Sequence, residues 1–195
     1  HAAATGRWFA SHRLDYICSS PLQRARETAE GILLGSGADL EMPEILDGLR
    51  ELDTGVFSNR TFDELKRDMP DVFNDFQARS WEAVPGAESI RSLEARAVAH
   101  WRHLVAVARS GKRQLVTVTH YGFVQWLFKT TFAQGNTSWM PLMSVGNCAV
   151  FHLHVSPRTC GGLTSYFQEW RLVNHQAWIS QSPQGGQGPS KPTAP

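Results

Sequence analysis

The chain has 195 residues, enough for one domain with a core of ordinary size. Lysine and arginine number 19 against 18 aspartates and glutamates, and no basic stripe is present, so a nucleic-acid partner has no support. No apolar run reaches the roughly 18 residues of a membrane span. Cys18, Cys148 and Cys160 are odd in number and far apart, which fits a reducing, cytoplasmic compartment better than a disulfide framework.

In chain order, residues 2–11 read as the end of a helix and 16–18 (Tyr-Ile-Cys) as a short apolar strand. A helix is expected over 21–34, with Ser20 as N-cap, Pro21 at the first helical position and Gln23 completing a capping box. Ala25, Ala29 and Ile32 recur in it at helical spacing. Residues 40–52 are irregular or partly extended. Thr61 and Glu64 form a second capping box, opening a helix with Phe62, Leu65 and Met69 on one side that Pro70 stops. After Pro85–Gly86 comes a long helix whose stripe is Ile90, Leu93, Ala97, Trp101, Leu104 and Ala108. His100 and His103 flank that stripe and are expected to be solvated. Residues 114–119 form a buried strand that ends at His120, and 123–132 an apolar helix. Two late strands are expected over 147–155 and 164–173. The Gly/Pro/Ser/Gln-rich stretch 181–195 lacks the apolar side chains to offset ordering entropy and is expected to be disordered, leaving one domain over 1–180.

Strands alternating with helices imply an α/β fold: a three-layer α/β/α sandwich around a mostly parallel sheet. Ligands bind such sheets beyond the carboxyl ends of the strands. Arg24 and His120 both follow strand ends directly. A helix N-terminus favours an anion, and an arginine in its first turn can hold two phosphate oxygens at once. Residues 15–30 therefore read as a phosphate site, with Arg26 a solvated helix residue.

Cys18 and Arg24 have the Cys-x5-Arg spacing of cysteine-dependent phosphatases. The loop between them argues against that chemistry, because Pro21 has no N–H to offer a phosphate and residues 19–23 contain no glycine. Cys18 reads better as a small buried strand residue. Glu51, in a glycine-flanked loop, is either a solvated carboxylate or a general acid toward a leaving oxygen. His120 is either a structural histidine or a site residue. His152 and His154 alternate on one strand face without an acidic or cysteine partner nearby, so a half-exposed face is expected rather than a metal site. Ser110–Arg113 does not complete a phosphate-binding P-loop.

Taken in order, four segments resemble the histidine phosphatase superfamily, in its phosphoglycerate mutase-like branch. Residues 19–29 (SSPLQRARETA) are similar to its Ser-Pro-Leu-x-Arg-Ala-x-x-Thr-Ala segment. Residues 49–61 (LRELDTGVFSNRT) resemble Leu-x-Glu-x-x-x-Gly-x-x-Glu-Gly, with Ser58 and Asn59 in place of Glu-Gly. Residues 85–89 (PGAES) resemble Pro-Gly-Gly-Glu-Ser, and residues 118–122 (VTHYG) resemble Val-Ser-His-Gly-Gly, with Tyr121 for the first glycine. The late SVGNCAV fits an Asn-containing strand start, so the resemblance covers about residues 1–178.

The resemblance implies a phosphomonoester hydrolase acting on a small phosphorylated metabolite through phosphohistidine. Arg24 would hold the transferred oxygens, His120 would donate a hydrogen bond to them, Gly122 would contribute to the phosphate site, and Glu51 would protonate the leaving oxygen and then activate water. No metal or organic cofactor is implied, and a homodimer is compatible. The family nucleophile lies in an Arg-His-Gly motif that the 195 residues do not contain. His1 aligns after that motif, so the chain is expected to begin beyond it and to be nearly inactive by itself. The span between Thr61 and Pro85 is shorter than the mutase insertion, which favours a phosphatase with a compact lid over a phosphoglycerate mutase; a non-catalytic phospholigand binder stays open as a further alternative. Phe57, Phe62, Met69, Phe73, Phe76 and Trp81 of that lid either face substrate or form core.

Overall fold

The computed structural model describes residues 1–132, 143–160 and 162–179; the tail at 181–195 lies outside the described residues. The chain runs through α1 (Ala2–Phe9), β1 (Tyr16–Ser19), α2 (Gln23–Ser36), a short β2 (Glu44–Ile45) and two 3-10 turns, Asp47–Leu49 and Gly55–Phe57. It continues with α3 (Phe62–Asp68), α4 (Pro70–Arg79), a 3-10 turn at Ser80–Ala83, α5 (Ile90–Arg109), β3 (Leu115–Val118), α6 (Tyr121–Lys129), β4 (Val150–Cys160) and β5 (Leu163–His175).

This is an α/β fold. β1 lies between β2 and β3, parallel to both, with Ile17 opposite Val116 and Cys18 opposite Glu44 and Thr117. All four residues of β1 are buried, as a strand covered on both faces requires. Its side chains alternate between two cores. Ile17 packs with Ala25, Ala29 and Ile32 of α2, whereas Tyr16 and Cys18 pack with Leu93 and Ala97 of α5 and with Phe123 and Trp126 of α6. Helices therefore cover both faces. β4 and β5 form a separate antiparallel pair, longer than the two expected late strands. Only Val118 of β3 is fully buried, and the sheet hydrogen bonds of β3 among the described residues run to β1. At the opposite end of β1, the Asp15 carboxylate accepts the Arg113 and Gln114 N–H groups at 2.8 and 3.1 Å, which joins it to the turn before β3.

Local signals set several boundaries. Thr61 caps α3 through a complete capping box: its Oγ1 accepts from Glu64 N at 3.3 Å, and its N–H donates to Glu64 Oε2 at 2.7 Å. Pro70 both ends that helix and opens α4 from the N1 position, where its missing N–H is not needed. Ser89 caps α5.

The start of α2 differs from the expectation. The helix begins at Gln23 with Leu22 as N-cap and without a side-chain cap. Ser20 instead accepts the Leu22 N–H at 3.3 Å in a local turn, and Gln23 reaches forward to Glu27 at 2.7 Å. The solvated reading of His100 and His103 is also corrected. His100 is buried with Nε2 2.9 Å from Thr117 Oγ1, and His103 Nε2 lies 2.7 Å from the Tyr16 hydroxyl. The sheet offers polar partners on the inner side of α5, a tertiary circumstance that helical spacing does not encode. The lid aromatics pack on one another: Phe76 contacts the rings of Phe57, Phe62, Phe73 and Trp81; Phe57, Phe73 and Trp81 are buried and form core, whereas Phe62 is exposed.

α1 crosses α2 at backbone distance. A Cβ on Gly35 would collide with the Ala3 carbonyl, one on Gly6 with the Ile32 carbonyl, and one on Gly31 would sit 2.9 Å from Ala2 Cβ. Gly35→Leu should therefore lower stability by about 1–3 kcal/mol through overpacking. Gly48→Ala, at a position where a Cβ meets nothing within 4 Å, should stay within about 0.5 kcal/mol. Urea midpoints compare the two, and equal midpoints would contradict the close crossing.

Burial, with a smaller contribution from His103, pushes the His100 pKa down to about 4 from an ordinary 6.5. Between those values the unfolded chain binds a proton that the folded one does not. The His100 contribution is thus complete above pH 6.5 and is lost as pH falls toward 4, at up to about 1.4 kcal/mol per pH unit. Urea unfolding at pH 7, 6 and 5 should show stability falling with acid, and His100→Gln should make that fall shallower. An unchanged slope would place a protonated His100 in the folded protein.

Candidate active site

The carboxyl ends of β1 and β3 lie side by side, held by the Ser20 N–H donating to the Val118 carbonyl at 3.0 Å. Each strand delivers a polar side chain there. Ser19 and Ser20 leave β1 fully buried, and His120 leaves β3 buried, as the N-cap residue of α6. Arg24 sits in the first turn of α2 and is exposed.

These residues meet at one imidazole. Arg24 Nε donates to His120 Nδ1 at 3.2 Å, and His120 Nε2 lies 2.8 Å from Ser20 Oγ. Because Nδ1 accepts, the neutral ring carries its proton on Nε2 and donates it to Ser20. Burial first, and the Arg24 charge second, push the His120 pKa down to about 4, so the ring is neutral near pH 7. Among the described residues, the terminal amino groups of the Arg24 guanidinium have no protein partner. The arrangement presents an anchored cation and a neutral N–H donor at the ends of two parallel strands, which suits a phosphoryl group.

Glu51 arrives from the loop between the two 3-10 turns. Its Oε2 accepts the Gly122 N–H at 3.3 Å, and its Oε1 accepts the Phe123 N–H at 3.2 Å and the Leu52 N–H at 2.9 Å. The carboxylate thus covers the positive end of α6, one turn from His120. Gly122 makes this approach possible, since a Cβ there would stand 2.7 Å from Glu51 Oε1. The Gly122 N–H is engaged by Glu51 in this geometry, so a phosphate contact from it requires the carboxylate to move.

The structure brings Arg24, Glu51, His120 and Gly122 to one end of the sheet. Arg26 is exposed, as expected. Cys18 is fully buried, its thiol held 3.4 Å from Thr117 Oγ1 and raised in pKa by burial, which suits a core residue and not a thiolate nucleophile. His152 and His154 are half-buried on β4, and no group of three or more His, Cys, Asp or Glu side chains among the described residues could hold a metal ion. Among those residues, no helix is long and apolar enough to cross a membrane.

Sequence reasoning missed Ser20 as the acceptor for His120, having assigned it to a helix cap. It also missed Arg96, which pairs with Glu88 and reaches the loop that carries Glu51. No local signal marked Arg96: the apolar stripe steps from Leu93 to Ala97 at i, i+4 spacing, and Arg96 stands beside it like any helix charge.

Comparison with known proteins places the chain in a family. The model of the histidine phosphatase superfamily (branch 1) matches residues 1–165. No curated protein matches the chain. Solved structures share its fold. A mycobacterial glucosyl-3-phosphoglycerate phosphatase in complex with inorganic phosphate is 22% identical over 91% of this chain and 84% of its own, with a TM-score of 0.72. Bacillus stearothermophilus YhfR is 23% identical over 91% of this chain and 82% of its own, with a TM-score of 0.67. A phosphoglycerate mutase from Bacillus anthracis is 18% identical over 92% of this chain and 80% of its own, with a TM-score of 0.65. With its motifs brought to one end of a parallel sheet and its sequence matched through residue 165, the chain belongs to the histidine phosphatase superfamily, branch 1.

Proposed function

We propose that this site holds the phosphoryl group of a small phosphorylated metabolite and serves a phosphomonoester hydrolase that works through phosphohistidine. The observation that carries the reading is the exposed Arg24 guanidinium, anchored through Nε to a buried neutral His120 while its terminal amino groups meet no partner among the described residues. An imidazole nitrogen attacks phosphorus as the ester P–O bond breaks. Arg24 neutralises the equatorial oxygens, the His120 N–H follows their charge, and Glu51, having first taken up a proton from solvent, gives it to the leaving oxygen. Glu51 then takes a proton from water, the water oxygen bonds to phosphorus, the P–N bond breaks and phosphate departs.

The attacking imidazole belongs to an Arg-His-Gly segment, a tripeptide absent from these 195 residues. His120 does not take that role, because its Nδ1 is occupied by Arg24 and its Nε2 carries the proton. The same absence favours a second reading for the chain by itself, that of a phospholigand-binding protein without turnover. Three of the lid aromatics, Phe57, Phe73 and Trp81, are buried and leave chiefly Phe62 exposed, which supports a polar metabolite over a bulky aromatic ester.

Titration of the purified chain with inorganic phosphate and with vanadate tests the reading. Arg24→Ala should weaken phosphate binding by about tenfold or more, the loss of a charge-assisted hydrogen bond. Turnover of a generic phosphomonoester should stay near background, since losing a nucleophile can remove about 10⁶ in rate. Equal phosphate affinity in Arg24→Ala would overturn the site. Robust His120-dependent turnover would overturn the assignment of the nucleophile.

A further inference from the structure

We propose that Arg96 is the positioning residue for Glu51: its guanidinium fixes the loop that carries the carboxylate against the helix end that receives it. The proposal rests on the reading of Glu51 as the proton-transfer group.

Arg96 stands in the second turn of α5. Nε and Nη2 grip Glu88 in a fork, at 2.8 Å to Oε1 and 2.6 Å to Oε2. Nη1 donates to the Gly48 carbonyl at 2.6 Å and the Arg50 carbonyl at 3.1 Å, on either side of Leu49 and directly before Glu51. The guanidinium also lies 4.4 Å from the centre of the Phe123 ring, and Phe123 is the residue whose N–H Glu51 accepts. One side chain therefore touches the support of Glu51 on one side and its receptor on the other.

The remaining contacts close the frame. Thr119 Oγ1 donates to the Leu49 carbonyl at 2.8 Å, and the Glu88 N–H donates to the Asp53 carbonyl at 2.9 Å, just past Glu51. Glu88 also accepts from Ser92 Oγ at 2.7 Å. Burial raises the Glu88 pKa, but the hydrogen bonds from Arg96 and Ser92 outweigh it and leave the carboxyl below its ordinary value. The pair is only 20% and 15% exposed, and a desolvated ion pair is seldom more stabilising than an apolar one of equal volume. Placement of Glu51 gives a reason for it that stability does not. Lysine cannot substitute, since an ammonium lacks the planar fork that meets a carboxylate edge and two carbonyls together.

The experiment follows the amide signals of Gly122 and Phe123 in the isotopically labelled 195-residue chain as pH is varied. Both amides donate to Glu51, and the Glu51→Gln chain identifies the part of their titration that the carboxylate causes. Arg96→Lys should cut that part by at least about half. It should leave phosphate affinity at Arg24 within about twofold, because the anion site does not include Arg96. Glu88→Gln should act in the same direction, and it decides the matter if Arg96→Lys fails to fold. A purely structural pair would lower the melting temperature while keeping the wild-type amide titration, and that result in either folded variant would overturn the proposal. If the unmodified chain fails to bind phosphate, the functional reading falls, while the amide titrations still judge Arg96.

Discussion

The neutral imidazole of His120 is the contact on which the site depends. It accepts from Arg24, at the start of α2, and donates to Ser20, at the end of β1, while its own backbone opens α6. Two consecutive elements and a third about 100 residues further along converge on one ring. The ring remains uncharged because it is buried and faces a guanidinium. A cationic ring would repel Arg24 and lose Nδ1 as an acceptor, and Arg24 would then lose its anchor. Neutrality is thus both a consequence of the packing and the condition for holding an arginine open to an anion.

The second constraint is the placing of a carboxylate close to a site built for anions. Glu51 and a phosphoryl group are both drawn to the N-terminus of α6. The fold satisfies the carboxylate with the N–H groups of Gly122, Phe123 and Leu52, and among the described residues it leaves the terminal amino groups of Arg24 without a protein partner. Such a division demands a loop that does not drift, and the loop around Glu51 is correspondingly tied to α5 and to Thr119. Gly122 gives the carboxylate its room: a Cβ there would stand 2.7 Å from Glu51 Oε1, and the carboxylate would have to shift.

Much of this was legible in the sequence where the signal is local. The Thr61–Glu64 capping box, the three-and-four spacing of α5 and the apolar run of β1 each translate directly into the observed element. Arg24 and His120 were locatable because each follows a strand end, and Glu51 because its motif sits in a fixed order with theirs. What escaped was decided by partners remote in sequence. Ser20 has a good cap pattern but spends its hydroxyl on an imidazole 100 residues away. His100 and His103 flank an apolar stripe, yet β1 and β3 present Tyr16 and Thr117 to them. The lid aromatics could have lined a pocket or filled a core, and only their mutual packing separates the two. Arg96 reads as one more surface charge on a helix until its carbonyl partners are known.

Nitrogen-15 spectra of the His120 ring read its charge and its tautomer. The Arg24–His120–Ser20 geometry requires a neutral imidazole protonated on Nε2 at pH 7, titrating near pH 4, with its signals perturbed when inorganic phosphate binds. A ring that is cationic at pH 7, or one protonated on Nδ1, would contradict the Arg24–His120–Ser20 arrangement and the phosphate site built on it.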